Sequence, residues 1–391
     1  MAFAEPTVTS DLRDKRFGQA MMLFGIACFL MLTLGAGVQA INARVGLAVT
    51  LLFVILLPAV LFARWKKAPL RDALRLRPIS PAIMATSLLA GVGGWGIAAG
   101  AGILIQKLGI QSIPVEALIV DSIGMLLVML FVGAVMPGVC EECLFRGAIQ
   151  GVLERRGKWF GIIIAGVLFG LFHMDPTRML IAPLLGIFAG WLVVRTGSLF
   201  PAMLSHFGNN ATAITVGYLF QESEQQNVLY WLLPSLAVLW VVATLFFAHC
   251  TNSPEFKDSV KPSTLTSVSA GLSPGVAWGC GIPGTLFGVL VIAGTTALTF
   301  LLTSAKVDDD ALSPKVREGD RLMLMKPNSP LFDLDNGDIV VFKQGDKTLA
   351  RTVARHEEDR VWVSDPSGTE TELKLTDIVG SLIPGTTPQR H

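Results

Sequence analysis

The apolar run IGMLLVMLFVGAVM, residues 123–136, continues without a break into PGVCEECLFRG, so Glu141, Glu142 and Arg146 end a stretch suited to lipid. An ionised carboxylate at mid-membrane costs about 2.5–3.5 kcal/mol even on insertion scales. Two in succession demand partners or a site. Apolar windows long enough to cross a bilayer, about 20 residues, recur up to about residue 300. With 52% hydrophobic and 16% charged residues, the chain reads as a mostly α polytopic transmembrane bundle, with the lipid bilayer as its first partner. A formal net charge of +1 gives no basic field to attract nucleic acid, and that class is excluded.

The windows predict spans near 17–38, 45–63, 81–106, 122–150, 159–173, 178–195, 197–220, 228–248 and 283–303: eight helices and a ninth, tethering span. Arg13, Lys15, Arg16 and the small-residue site Val38-Gln39-Ala40 resemble a secretory signal. The run from Phe17 is too long for a signal core, so it is expected to stay as the first span. Pro137-Gly138 should kink the fourth. The loop ARWKKAPLRDALRLRP is strongly basic, and Arg155, Arg156 and Lys158 follow span four. Arg44 is the one basic residue after span one, and QESEQQN after span seven has none. This asymmetry places the N-terminus in the cytoplasm and, with nine spans, the C-terminus outside. Cys28, Cys140, Cys143, Cys250 and Cys280 lie in or beside apolar segments, so no disulfide framework is expected. Cys140 and Cys143 form a lone CxxC within a helix, which reads as a packing face.

The expected division is a helical domain at 1–249, a flexible Ser/Thr/Pro/Gly-rich linker at 250–282, the ninth span at 283–303 and a small β-domain at 304–391. In the last, RLMLM, DIVVFK, TLARTVA and RVWVS alternate apolar with polar residues between turn signals such as Asn336-Gly337.

Two further spans carry polar groups at depth. His173 lies four residues after Phe169, and His206 four before Asn210, on one helix face. At ~1.5 Å per residue from the basic ends, Glu141, His173 and His206 lie roughly 18, 21 and 14 Å into a ~30 Å core. Three helices therefore bring a carboxylate, two imidazoles and an amide to similar depth, which points to one site. Glu142 and Arg146 have the i,i+4 order of a favourable ion pair. That pair leaves Glu141, turned about 100° away, to face the histidines as a general base. One carboxylate and two imidazoles are also a plausible zinc set, and water activation without metal uses the same groups; both stay open. Ion and proton pathways place Glu and His at the same depth, so a proton-coupled transporter is a competing reading, as is a non-catalytic membrane scaffold.

Glu141, Glu142 and Arg146 as EE-x-x-x-R, Phe169 and His173 as F-x-x-x-H, and His206 and Asn210 as H-x-x-x-N have the order and spacing of the CPBP intramembrane proteases. That family includes the type II CAAX prenyl endopeptidases and bacteriocin-processing or immunity-related proteins. The resemblance covers roughly residues 120–215. It implies an endopeptidase in a bacterial inner membrane acting on a peptide or protein substrate. Glu141 and His173 would activate water, while His206 and Asn210 would stabilise the oxyanion or help hold a metal, with Glu141, His173 and His206 as the zinc ligands. Further on, DALSPKVREGDRLML resembles the nucleophile box of signal peptidase I. Aligning Pro314, Gly319 and Asp320 puts Ala311 at the serine position and Ala350 at the lysine position. A Ser/Lys dyad needs a hydroxyl and an amine, and alanine supplies neither. The resemblance therefore implies a signal-peptidase-like domain without catalysis.

Overall fold

The computed structural model describes residues 15–107, 120–220, 228–267, 302–313, 315–327, 332, 334–345, 347–357, 360–365 and 367–382. The chain divides into two units, Met1–Ile292 and Ala293–His391.

Helices form where the apolar runs are, and six are long and apolar enough to cross a membrane. These are α1 (Phe17–Ile41), α2 (Ala43–Trp65), α3 (Pro81–Ile105), α4 (Ile123–Arg156), α6 (Pro176–Thr196) and α8 (Leu229–Cys250). Between them, α5 (Lys158–Phe172) is apolar but short, and α7 (Phe200–Leu219) is long but less apolar. Ser205, His206, Asn209 and Asn210 dilute α7, and those residues belong to the site described below. Outward-facing Leu34, Phe53, Leu104, Leu127, Phe131, Leu245 and Phe246 form an apolar exterior suited to acyl chains.

The fourth span is one continuous helix with π-helical turns at Phe131–Val135 and Cys143–Ile149. The first ends two residues before Pro137, where the kink is expected. Proline has no N–H to donate to the carbonyl of Gly133 four residues back, and a wider turn accommodates that loss. The second begins directly after Glu142 and carries Arg146.

Helices approach closely through glycines. A Cβ on Gly208 of α7 would lie 2.6 Å from Leu88 O, and one on Gly91 of α3 would strike Ser205 O. On α6, a Cβ at Gly186 would lie 2.9 Å from Gly166 Cα and 3.0 Å from Arg146 Nη2. The core beneath is aromatic: Phe24, Phe145, Phe169 and Phe172 meet edge-on or tilted. At the basic face, buried Arg75 pairs with Glu154, which also accepts from Gln150 Nε2 at 2.9 Å.

Residues 250–267 differ from the expected flexible linker. Pro254–Ser259 and Thr264–Ser267 are short helices, Leu265 enters the core, and Ser263 Oγ donates to Ala73 O at 2.9 Å. Thr266 Oγ donates to Gly151 O at 3.0 Å, and Arg77 Nη1 donates to Lys261 O at 2.6 Å. One apolar anchor and several backbone partners dock this stretch on the bundle. The expected ninth span lies outside the described residues, except that its last two positions already belong to a strand.

The second unit is a seven-stranded antiparallel sheet in the order β1-β2-β7-β3-β4-β5-β6. Its strands are β1 (Leu302–Lys306), β2 (Arg321–Met325), β3 (Ile339–Gln344), β4 (Lys347–Glu357), β5 (Arg360–Ser364), β6 (Glu370–Lys374) and β7 (Ile378–Leu382). Neighbours Val340 and Val341 enter different apolar clusters, so both faces of the sheet are covered. Gly337 and Gly368 take positive φ, 99° and 83°, at the turns that the sequence marks. The segment after β1 is tied to β4 through Thr348 N donating to Asp308 Oδ2 and Arg351 Nη1 donating to Asp309 Oδ2. Ala311, Leu312, Ser313, Lys315, Thr352, Ser364 and Asp365 line a cleft there, while Ala350 is buried. Asp365 is held by Ser367 Oγ at 2.6 Å, which draws its carboxyl below the usual carboxylate range.

Candidate active site

The fourth span supplies the acids. Glu142 and Arg146 are fully buried, and Arg146 Nη1 donates to Glu142 Oε1 at 2.7 Å, the expected i,i+4 pair. The same oxygen takes a second bond that spacing alone does not give: His206 Nδ1 lies 2.8 Å from it. Glu142 is therefore not merely a counter-ion for Arg146; it also anchors a histidine on α7. Close approach makes this possible, since a Cβ on Gly138 would lie 3.1 Å from Met203 O. The opposite ring nitrogen of His206, Nε2, lies 4.0 Å from Glu141 Oε2. One histidine thus spans both carboxylates.

His173 caps the C-terminal end of α5, with Nδ1 2.8 Å from Phe169 O. A carbonyl only accepts, so Nδ1 carries the proton and Nε2 the lone pair. The same reasoning applies to His206. Glu142 accepts from Arg146, so it is a carboxylate, and Nδ1 of His206 donates to it. Nε2 of His206 then faces Glu141. Phe169 lies between the two histidines: its ring centroid is 4.8 Å from that of His173 and 5.7 Å from that of His206. The Arg146 guanidinium is 4.2 Å from the Phe169 ring centroid. This ring orders both imidazoles and seals the cation from below.

Asn210 Nδ2 donates to Gly133 O at 3.1 Å, the carbonyl that Pro137 cannot serve, and Asn210 Oδ1 accepts from Asn209 Nδ2 at 3.1 Å. Asn210 thereby ties α7 to the first π-helical turn of α4.

Depth follows from α5. Its 15 residues rise ~22 Å, short of a ~30 Å hydrocarbon core. The turn holding His173, Met174 and Asp175 therefore lies within membrane depth, where non-helical backbone persists only when packed in protein or lining a wet cavity. The turn is tight: Met174 has φ 51°, and Asp175 caps α6 by accepting from Arg178 N at 2.8 Å.

Among the described residues no group of three or more His, Cys, Asp and Glu is disposed to hold a metal ion. Glu141 and His173 are brought to the same region as His206. Sequence reasoning used Phe169 for spacing only, and missed the Glu142–His206 bond, which joins residues 64 positions apart.

Residues 123–212 match the family model described as type II CAAX prenyl endopeptidase Rce1-like. Over 118 residues the chain is 27% identical to "Putative membrane peptidase YdiL" of Bacillus subtilis (strain 168), covering 28% of this chain and 48% of that protein. The chain thus spans about half the length of the curated relative it matches. No solved structure matches. The site residues of α4, α5 and α7 all fall inside the matched segment, which resembles the membrane endopeptidase family and supports a protease.

Proposed function

We propose that this chain is an intramembrane endopeptidase that hydrolyses peptide bonds of membrane-associated or lipidated peptides. The observation that carries the reading is Glu141 facing Nε2 of His206 at 4.0 Å inside an apolar helical bundle. Glu141 acts as general base. It takes one proton from water, whose oxygen adds to the scissile carbonyl carbon, and His173 orients that water by accepting its other O–H at Nε2. Glu141 then passes the proton to the departing amine as the C–N bond breaks. Glu142 is a positioning residue that fixes the tautomer of His206. No step is routed through a metal. Metal content is an open measurement: stoichiometric zinc that disappears in both His173→Ala and His206→Ala would give these groups a ligand role as well.

The proposed setting is a bacterial inner membrane with a cytoplasmic N-terminus and the β-unit outside. We read that unit as a peptide-binding, signal-peptidase-like module without catalysis, supported by Ala311 in its cleft and Ala350 buried in its core.

The test is cleavage of a membrane-peptide library by purified protein in nanodiscs, wild type against Glu141→Gln. Wild type should release fragments and the variant should be slower by about 10²–10⁴-fold. Equal rates would remove Glu141 from the mechanism.

A further inference from the structure

Asn210 is held at both ends of its amide. Gly133 O can only accept, so the atom 3.1 Å from it is Nδ2, and Oδ1 lies on the other branch. Oδ1 in turn takes a donor, Asn209 Nδ2, at 3.1 Å. Turning the Asn210 amide round would set its oxygen against the carbonyl oxygen of Gly133 and its nitrogen against the nitrogen of Asn209. The bond to Gly133 O fixes one atom and lets the amide plane swing about it. The bond from Asn209 fixes the plane, and with it the direction of the second N–H on Asn210 Nδ2. That N–H has no partner among the described residues, and it stands one turn from His206 on the same face of α7.

Asn209 adds little to folding by this. Its Oδ1 is buried and accepts from no described residue. An unmet acceptor in the interior is a net cost, and an amide within an apolar bundle asks for a reason beyond packing.

We propose that Asn209 is a positioning residue: it fixes the amide plane of Asn210 so that an N–H, and not the amide oxygen, is offered to the scissile carbonyl. This rests on the endopeptidase reading and on the oxyanion role that the family resemblance implies for Asn210. As the water oxygen bonds to carbon, the carbonyl π pair moves onto oxygen, and the Asn210 N–H donates to it in the direction that Asn209 sets. Asn210 keeps its proton, and the water proton goes to Glu141. A donor already aimed at the developing charge gives its full effect, because nothing has to turn when the charge appears.

The experiment uses full-length protein in nanodiscs and a peptide that wild type cleaves. Asn209→Leu keeps the branched shape and removes the donor. It should lower kcat by about 10–100-fold, the usual scale for a group that orients another, with KM little changed. Its Tm should equal or exceed that of wild type, because the unmet Oδ1 leaves with the amide. Asn210→Ala should cost about 10²–10³-fold. Adding Asn209→Leu to it should bring no further loss, since Asn209 acts through Asn210. Asn209→Asp gives a readout that packing alone does not move. Its carboxyl donates to Asn210 Oδ1 when protonated and can only accept when ionised, which turns the Asn210 amide round. The ratio of its kcat to that of wild type should therefore be highest at acid pH and fall as the carboxyl ionises. Taking the ratio at each pH removes the titration of Glu141, Glu142, His173 and His206, which both proteins share. Wild-type kcat in Asn209→Leu overturns the proposal, as does a further loss in the double variant or an Asn209→Asp ratio that is low and unchanged across pH. Wild-type activity in Glu141→Gln would instead overturn the endopeptidase mechanism itself.

Discussion

At the scale of single residues, the adjacent glutamates are separated by their partners. Glu142 holds Arg146 and His206 through one oxygen, whereas Glu141 has no hydrogen-bonded partner among the described residues and faces Nε2 of His206 at 4.0 Å. Substituting them therefore breaks different things. Glu142→Gln leaves Arg146 as an uncompensated buried charge and loosens His206, at a cost of about 3–5 kcal/mol. Its expected signature is a lower yield of monodisperse protein and a lower Tm. Glu141→Gln should fold like wild type. Equal Tm values for the two variants would contradict this division. The i,i+4 spacing made the Arg146 pair legible in the sequence. The second bond of Glu142 was not, because it joins residues 64 positions apart.

At the scale of elements, the site depends on how closely α7 approaches α3 and α4. Gly91 and Gly208 bring backbone against backbone, and Gly138 does the same beneath the acids. In a membrane such small-residue contacts drive helix association, since lipid is as apolar as leucine. Gly91→Val places a branched carbon where Ser205 O lies, next to His206. It should destabilise by at least about 1–3 kcal/mol and push α7 away from Glu142. Tm together with cross-linking of Val139→Cys to Met203→Cys would detect this: the variant should lose efficient cross-linking, and a wild-type result would show the crossing is not tight. Helix α5 shows how element length carries function, because a helix too short to span leaves its terminal histidine inside.

At the scale of the whole chain, the helical unit and the sheet unit each possess their own core. The site lies entirely in the first. Removing residues 302–391 should leave cleavage of a short membrane peptide within about twofold of wild type, because every residue of the site belongs to the other unit. Processing of a larger natural substrate should suffer if the sheet unit captures chains along a strand edge. Loss of short-peptide cleavage by the truncated, still folded protein would assign the second unit a part in the chemistry. Residues 250–267 must be kept in that truncation, because Ser263 and Leu265 are docked on the bundle.

Hydropathy determined most of the architecture. Twenty apolar residues in lipid have little choice but helix, since each backbone group must find its partner within the segment. Alternation and turn glycines likewise determined β2 to β5. The sequence also showed which helices bear chemistry, because a charge in an apolar run is conspicuous. What only the tertiary structure decided is which atom faces which. Glu142 bonding His206 and Asn210 replacing Pro137 at Gly133 O both depend on helix crossing and register. Those are set by glycine contacts between segments far apart in sequence, which no local pattern encodes. The docking of 250–267 was missed for the same reason: its composition is that of a linker, and only its partners on other helices make it structure.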